Sequence, residues 1–507
     1  MKRLVGLCMT ALLLGIGSVG ASELRVGYSA DASSLDPANH RSRNSETIIL
    51  NMYDALVART DDMRVVDELI ESWAQIDPLT YEFRIRRGVK FHSGDEMTAE
   101  DVKFTFDRLT VEGAMGGQTS PRKSLLAGLK ETIIVGPYTL RFVLREPWPI
   151  LRAYLPFQQV VQRRFVERVG TAGMATQVNG TGPFRLVEWR RGEAVVMERF
   201  ADYYGGAPEL PPVGPARVDR VVFRIMPEPA ARVAALLAGE VDIIDDLPPS
   251  AIPQVRASPR TRVLTTNGTR SFFVDFNTTR PPFNDARVRR AANHAINRQL
   301  IIDRVLGGLA TPLHGLLSPQ SFGFNPNLPP FDFDQAKARR MLAEAGHPNG
   351  VSATLDLDPA NKELGEVIAA MLTQAGIRTN VQIWERGVLE QAWRNPATSG
   401  RDMQFRSWGD GALDPVGIFD PVLRTGGRGN RSGYSNPEVD KLLDAAAIEP
   451  NEEARSQMYQ RAQAIVHEDA PLLFLWLPQD IYGVSARLEG WQPSPRGMIK
   501  LHDAAVR

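Results

Sequence analysis

Apolar side chains at Tyr81, Phe83 and Ile85 alternate with Glu82, Arg84 and Arg86, the period of two expected of a strand with one buried face. Gly88 permits a turn, Val89–His92 is predicted to resume as a strand, and Ser93, Gly94 and Asp95 turn the chain again. Thr98 then predicts a helix N-cap with Asp101 as its box partner. Val102, Phe106 and Leu109 follow at helical spacing. Strands are further predicted at Glu23–Tyr28, Tyr138–Leu144, Val241–Ile244, Phe272–Phe276, Thr379–Trp384 and Ala470–Leu477. Helices are predicted over Pro229–Ala238 with Gly239 as the stop, from Ala286, over Gly365–Gly376 and over Glu452–His467. Gly113–Lys130 reads as a mobile loop. Helices followed by strands along the chain imply α/β layers with partly parallel sheets.

The first twenty residues follow a different pattern. Lys2 and Arg3 precede the apolar run Leu4–Ile16, and small residues end at Ala21, as in a secretory signal peptide cleaved after Ala21. The run is shorter than the ~20 residues a membrane span needs. Cys8 is the only cysteine, so cleavage would leave no thiol for a disulfide, a thiolate metal site or a nucleophile. Without Lys2 and Arg3, 57 basic residues face 59 acidic ones. That balance favours neither nucleic acid nor an anionic membrane surface.

The string ESWAQIDPLTYEFRIRRGVKFHSGDEMTAEDVKFTF (71–106) resembles the signature of the family-5 extracellular solute-binding proteins, the dipeptide, oligopeptide and nickel receptors of ABC importers. Further blocks match in family order. Leu35-Asp36-Pro37 is similar to the family's turn, and Asn51–Val57 to the helix end that follows it. Asn179–Phe184 with Trp189 and Tyr203–Gly206 resembles its second block. Asn277–Asp285 leads into the next, and Phe331–Gly346 matches its helix ending in Ala-Gly. The resemblance implies a bilobal α/β periplasmic-binding-protein fold with a small inserted domain. Lobe I would comprise 22–52, 173–265 and 481–507, the insert 53–172, and lobe II 266–480. It also implies a monomeric periplasmic receptor that closes on a peptide or peptide-like solute and hands it to an inner-membrane ABC permease and its ATPase.

By the same resemblance, the ligand cleft is expected at Phe405, Ser407, Trp408, Gly409, Asp410 and Gly411. In peptide-binding branches this strand edge pairs with an extended peptide, the tryptophan walls a pocket, and an aspartate three residues later holds the peptide's amine. Here that position is Gly411, and the nearest acid, Asp410, lies one residue early. A one-residue slip in a strand turns a side chain to the other face, so Asp410 is read either as an amine anchor in a remodelled loop or as a loop cap. The segment after Leu-Asp-Pro supplies Arg41, Arg43 and Asn44, read as a cationic rim or as a solvated loop. Trp384 is read as pocket wall or core packing. Arg386, with Arg41 and Arg43, is a candidate fork for a ligand carboxylate. Dipeptide-binding relatives place a carboxylate-binding arginine near Ala353–Leu357, but this chain has Asp356 and Asp358 there, which argues against a simple dipeptide.

Other classes are less well supported. Ser120 and Lys123 match the Ser-x-x-Lys of an exported hydrolase, but no Ser-Asp-Asn follows before the loosely similar Arg424-Thr425-Gly426. The seven histidines show no metal-ligand spacing, so no protein-held metal or cofactor is expected. An opine, glutathione, a nickel chelate or an oligosaccharide remains an alternative ligand for the same receptor role.

Overall fold

The computed structural model describes residues 22–210 and 213–507, except for the side chain of Arg386. The leader, Cys8 and the cleavage position at Ala21 lie outside the described residues. Among the described residues no helix is long and apolar enough to cross a membrane.

The architecture turns on one fourteen-residue strand, Leu472–Ser485. Its first half pairs with Arg270–Phe276, which in turn pairs with Met403–Gly409. Beyond lie Val351–Leu357 and Ile377–Ile383, joined to this group in parallel. The second half pairs with Thr261–Asn267 and with Ile243–Ile244. Through the latter it reaches Glu23–Tyr28, which runs parallel to Arg220–Ile225. The result is a twelve-stranded sheet of mixed direction. Trp476 packs in a hydrophobic core with Val274, Val288 and Leu355, whereas Tyr482 packs in another with Leu24, Phe184 and Phe223. One backbone therefore serves two separately packed bodies. It continues through residue 480, so no break in regular structure marks the lobe boundary expected there.

A separate four-stranded antiparallel sheet is formed by Ile70–Asp77, Thr80–Ile85, Thr139–Leu144 and Leu129–Gly136. Its inner face packs Phe83 and Phe142 against Phe106 of the helix Ala99–Thr110. The alternation at Tyr81–Ile85 thus carries over, and the Thr98 N–H donates to the Asp101 carboxylate at 3.0 Å as the capping pattern predicts. Val89–His92 does not form a strand. Only Lys90 bridges, to Glu96, because Val89 and Phe91 are drawn into the core while His92 turns toward the Gly182 carbonyl. The helix expected to end near Val57 stops at Ile49, and Val57 opens a short strand instead. The segment 113–130 is held down at its centre. Ser120 is buried with its hydroxyl on the Ala38 carbonyl (2.6 Å), and Arg122 is buried against Glu46.

This third body is tied to the body packed around Tyr482 by a buried ion pair. The Arg108 Nη1 donates to Asp36 Oδ1 at 2.7 Å and Nη2 to Oδ2 at 2.5 Å, with both side chains inaccessible to solvent. The aspartate of the Leu-Asp-Pro turn thus anchors the inserted helix. Removing one partner leaves a buried charge uncompensated, which costs about 3–5 kcal/mol. Arg108→Leu is therefore predicted to lower the urea unfolding midpoint sharply; an unchanged midpoint would show that the pair does not bind the two bodies together.

Candidate ligand-binding cleft

Where the three bodies meet there is a cavity of about 990 Å³. One wall is the Met403–Gly409 strand and the loop after it, the opposite wall is the segment 41–46 with Arg496 and Met498, and the insert closes it with Arg122, Tyr154 and Phe157. The strand edge is present because Met403 and Phe405 point into the core while Arg406, Ser407 and Trp408 stay partly accessible. Glycines at 409 and 411 then release the chain from the ladder. Arg59 reaches across from the insert and donates to the carbonyl of Ala412 at 2.7 Å and to that of Ala153 at 3.1 Å. The loop is thus pinned from the opposite side.

Of the residues expected from the sequence, Arg41, Arg43, Phe405, Ser407, Trp408, Gly409, Asp410 and Gly411 all border this cavity. Phe405 does so from the core, with its ring against Phe272 and Trp476. Asn44 does not border it; its side chain turns to the Tyr28 hydroxyl at 3.4 Å. Trp384 does not border it either. Its indole N–H donates to Asp356 at 3.1 Å and its face carries Arg401 at 4.2 Å, an arrangement that serves packing. The fully buried Asp356 also accepts from Trp393 and Arg401, so it holds structure together and does not face a ligand. The side chain of Arg386 lies outside the described residues. Trp73, on the strand Ile70–Asp77 and away from this cavity, is partly exposed beneath Arg152.

The charge on the walls is unequal. Eight arginines border the cavity against five acids. Arg41 donates to the Pro121 carbonyl and to Ser124. Arg43 lies 3.8 Å from Asp480. Arg428 stacks on Trp408 at 4.7 Å, and the Trp408 N–H is fixed on the Gly417 carbonyl at 3.0 Å. Arg406 is committed to the buried Asp275 through Nε (2.5 Å) and Nη2 (2.9 Å). Although burial alone would push the Glu46 carboxyl up, Arg122, His40 and Arg496 pull it below the usual range. Glu46 therefore stays ionised and offsets Arg122.

Asp410 is different. Its carboxyl is buried, neither oxygen completes a hydrogen bond, and Gly417 leaves the space it occupies, since a Cβ there would lie 2.6 Å from Oδ1. Burial, and then the neighbouring Asp414, push Asp410 well above the usual carboxylate range, with Arg59 and nearby backbone N–H groups offsetting part. Of the five acids on the walls it is thus the one whose charged form burial disfavours most directly. Sequence reasoning missed Arg122, Arg428, Arg431 and Arg496, which sit in loops with no period to mark them, and Arg270, which opens a strand ahead of its apolar run. Ser120 and Lys123 do not assemble into a catalytic pair. The serine hydroxyl is spent on a backbone carbonyl, and the Lys123 ammonium faces Glu112 at 3.6 Å.

Residues 64–430 match the family model described as "Bacterial extracellular solute-binding proteins, family 5 Middle". The glutathione-binding protein GsiB of Salmonella choleraesuis is 27% identical over 522 residues, covering 100% of this chain and 99% of that one. The heme-binding protein A of Haemophilus influenzae is 28% identical, covering 86% and 83%. Among solved structures, HbpA2 from Haemophilus parasuis superposes with a TM-score of 0.87 at 24% identity, covering 96% of this chain and all of that one. DppA from Helicobacter pylori in complex with the peptide STSA gives 0.76 at 25% identity, covering 96% and 98%.

The Arg59 contact generates a prediction of its own. Arg59→Ala removes the cross-body hydrogen bond to Ala412 together with the bond to Ala153 inside the insert, and is predicted to lower stability by about 1–3 kcal/mol. Amide exchange should also quicken across 409–417; unchanged exchange there would show that Arg59 does not hold the loop.

Proposed function

The chain belongs to family 5 of the bacterial extracellular solute-binding proteins, and from that premise we propose that it is the receptor of an ABC importer for an anionic, peptide-like solute. Family members capture peptide-like ligands and work with ABC permeases, and the relatives above are binding proteins. Export by the leader, with cleavage after Ala21, and delivery to an inner-membrane permease belong to the same reading. The two bodies would close on the solute and release it unchanged, with no covalent step.

The observation that carries the ligand class is the arginine excess around a cavity of about 990 Å³. Carboxylates pair bidentately with guanidinium groups, and a water-excluding cleft strengthens each such pair. Asp410 supplies the complementary end. A ligand ammonium placed beside it would lower its raised pKa, so that its proton passes to solvent and the two form an ion pair at the strand edge. A solute with more carboxylates than amines fits this polarity. Glutathione, the ligand named for one relative, has two carboxylates and one amine. Haem, named for another, also presents carboxylates, and it forms the second reading.

Isothermal titration with glutathione, its diethyl ester, a neutral dipeptide and haemin tests the proposal. The acid is expected to bind near micromolar affinity, as engulfed ligands of about 20 heavy atoms do, and the ester at least tenfold more weakly. Equal affinity for neutral and acidic peptides would overturn it. Because burial raises Asp410 and a ligand ammonium beside it would lower it again, binding of a free amine should be accompanied by proton release to the buffer. Titration in two buffers of different ionisation enthalpy reads this, and Asp410→Asn should abolish it. Binding with no proton exchange would remove Asp410 from the amine site.

A further inference from the structure

Behind the large cleft lies a second cavity of about 150 Å³, whose titratable border is mixed: Arg59, Lys500 and His502 face Asp61, Glu68 and Asp503. Only Arg496 and Met498 border both. They form the wall between the two.

Arg496 is 9% exposed, and its Nε and Nη2 have no hydrogen-bond partner. Its planar face lies on the Phe157 ring at 4.6 Å. The acids that act on it from a distance are Glu46 and Glu68, and both are already engaged. Glu46 accepts from Arg122 and from Gln159. Glu68 accepts from Lys500 at 3.1 Å and from the Ala55 N–H at 3.3 Å. Burial pushes the Arg496 guanidinium down to about 10, with Glu46 offsetting part and Arg59 and Arg122 adding to the fall, so it stays charged at neutral pH. A buried cation without a counter-ion is costly in the free protein.

The two unpartnered nitrogens share one edge of the guanidinium, the edge that grips a carboxylate side-on. Elsewhere in this chain the same edge does so. Arg406 holds Asp275 through Nε and Nη2 at 2.5 and 2.9 Å, and Arg487 holds Asp242 at 2.6 and 2.8 Å. At Arg496 the fork is built but its carboxylate is not supplied by the protein.

We propose that Arg496 is a specificity-determining residue whose Nε/Nη2 edge takes a carboxylate arm of the solute at the wall between the two cavities, and that the smaller cavity gives that arm room. This rests on the receptor reading above. Phe157 keeps the guanidinium planar to the wall, and Met498 lines the passage without competing for the carboxylate.

The test uses the full-length mature protein, stripped of ligand, with Arg496→Gln and Arg496→Lys. Arg496→Gln is expected to melt at a higher temperature than the wild type when free, because it removes an unpaired buried charge. It should bind glutathione 10- to 100-fold more weakly and the diethyl ester with unchanged affinity, and Arg496→Lys should recover part of the loss. A merely structural arginine predicts the reverse. The free variant would then melt lower or fail to fold, and acid and ester would weaken alike; either result overturns the proposal, as does unchanged affinity for the acid. Should the wild type bind no peptide, the receptor reading is what fails. Arg496 is then judged by thermal shift with glutarate against glutaramide: a glutarate-specific shift lost in Arg496→Gln sustains it, and equal shifts overturn it.

Discussion

Two independently packed bodies depend on one hydrogen-bonded strand, Leu472–Ser485. Its first half belongs to the sheet of Arg270–Phe276 and its second to that of Thr261–Asn267. Ladder hydrogen bonds on both halves hold the bodies side by side in one twelve-stranded sheet. The strand passes from one core to the other between Trp476 and Tyr482, and bending or twisting there would open a gap on one side while leaving both cores packed. The cavity lies where such a gap would be, between the 403–409 edge and the 41–46 segment.

What fills the walls decides what the gap can hold. Most charges are answered within the protein: Asp36 by Arg108, Asp275 by Arg406, Asp414 by Arg455. Among the described residues, two buried and unanswered ionisable groups border the cleft. Neither carboxyl oxygen of Asp410 completes a hydrogen bond, and burial with the neighbouring Asp414 raises it well above the usual carboxylate range. Arg496 cannot lose its charge so readily and stays cationic. A buried, unpartnered acid on one wall and a buried, unpartnered guanidinium on the other give the cleft a polarity. A bound amine and a bound carboxylate would satisfy it. Ligand energy then comes from relieving costs already present in the free protein, and binding needs few contacts to be selective.

Much of this framework was legible in the residues. The alternation at Tyr81–Ile85, the Thr98–Asp101 cap and the Gly239 stop each report a local rule, and the structure follows all three. The strand edge at Phe405–Gly411 was legible through family resemblance, not through period. Other features depended on distant partners. Val89–His92 has the composition of a strand, yet its backbone pairs with the tight turn that follows it and with Gly180, leaving a single bridge at Lys90. Asn44 and Trp384 sit close in sequence to cleft residues, but their side chains turn to Tyr28 and Asp356. Arg496 was invisible because nothing in a Ser-Pro-Arg-Gly tail shows that it folds back 450 residues to face Glu46. Pairings across such separations are set by tertiary packing, and a one-dimensional pattern carries no trace of them.

The account rests on a receptor that encloses an acidic guest and leaves it intact. The most direct measurement is mass spectrometry of the solute released by denaturing protein purified gently from its native compartment. The account predicts one intact small molecule, or a narrow set, with carboxylates outnumbering amines. A neutral or cationic guest, or a mixture of cleavage products, would contradict it.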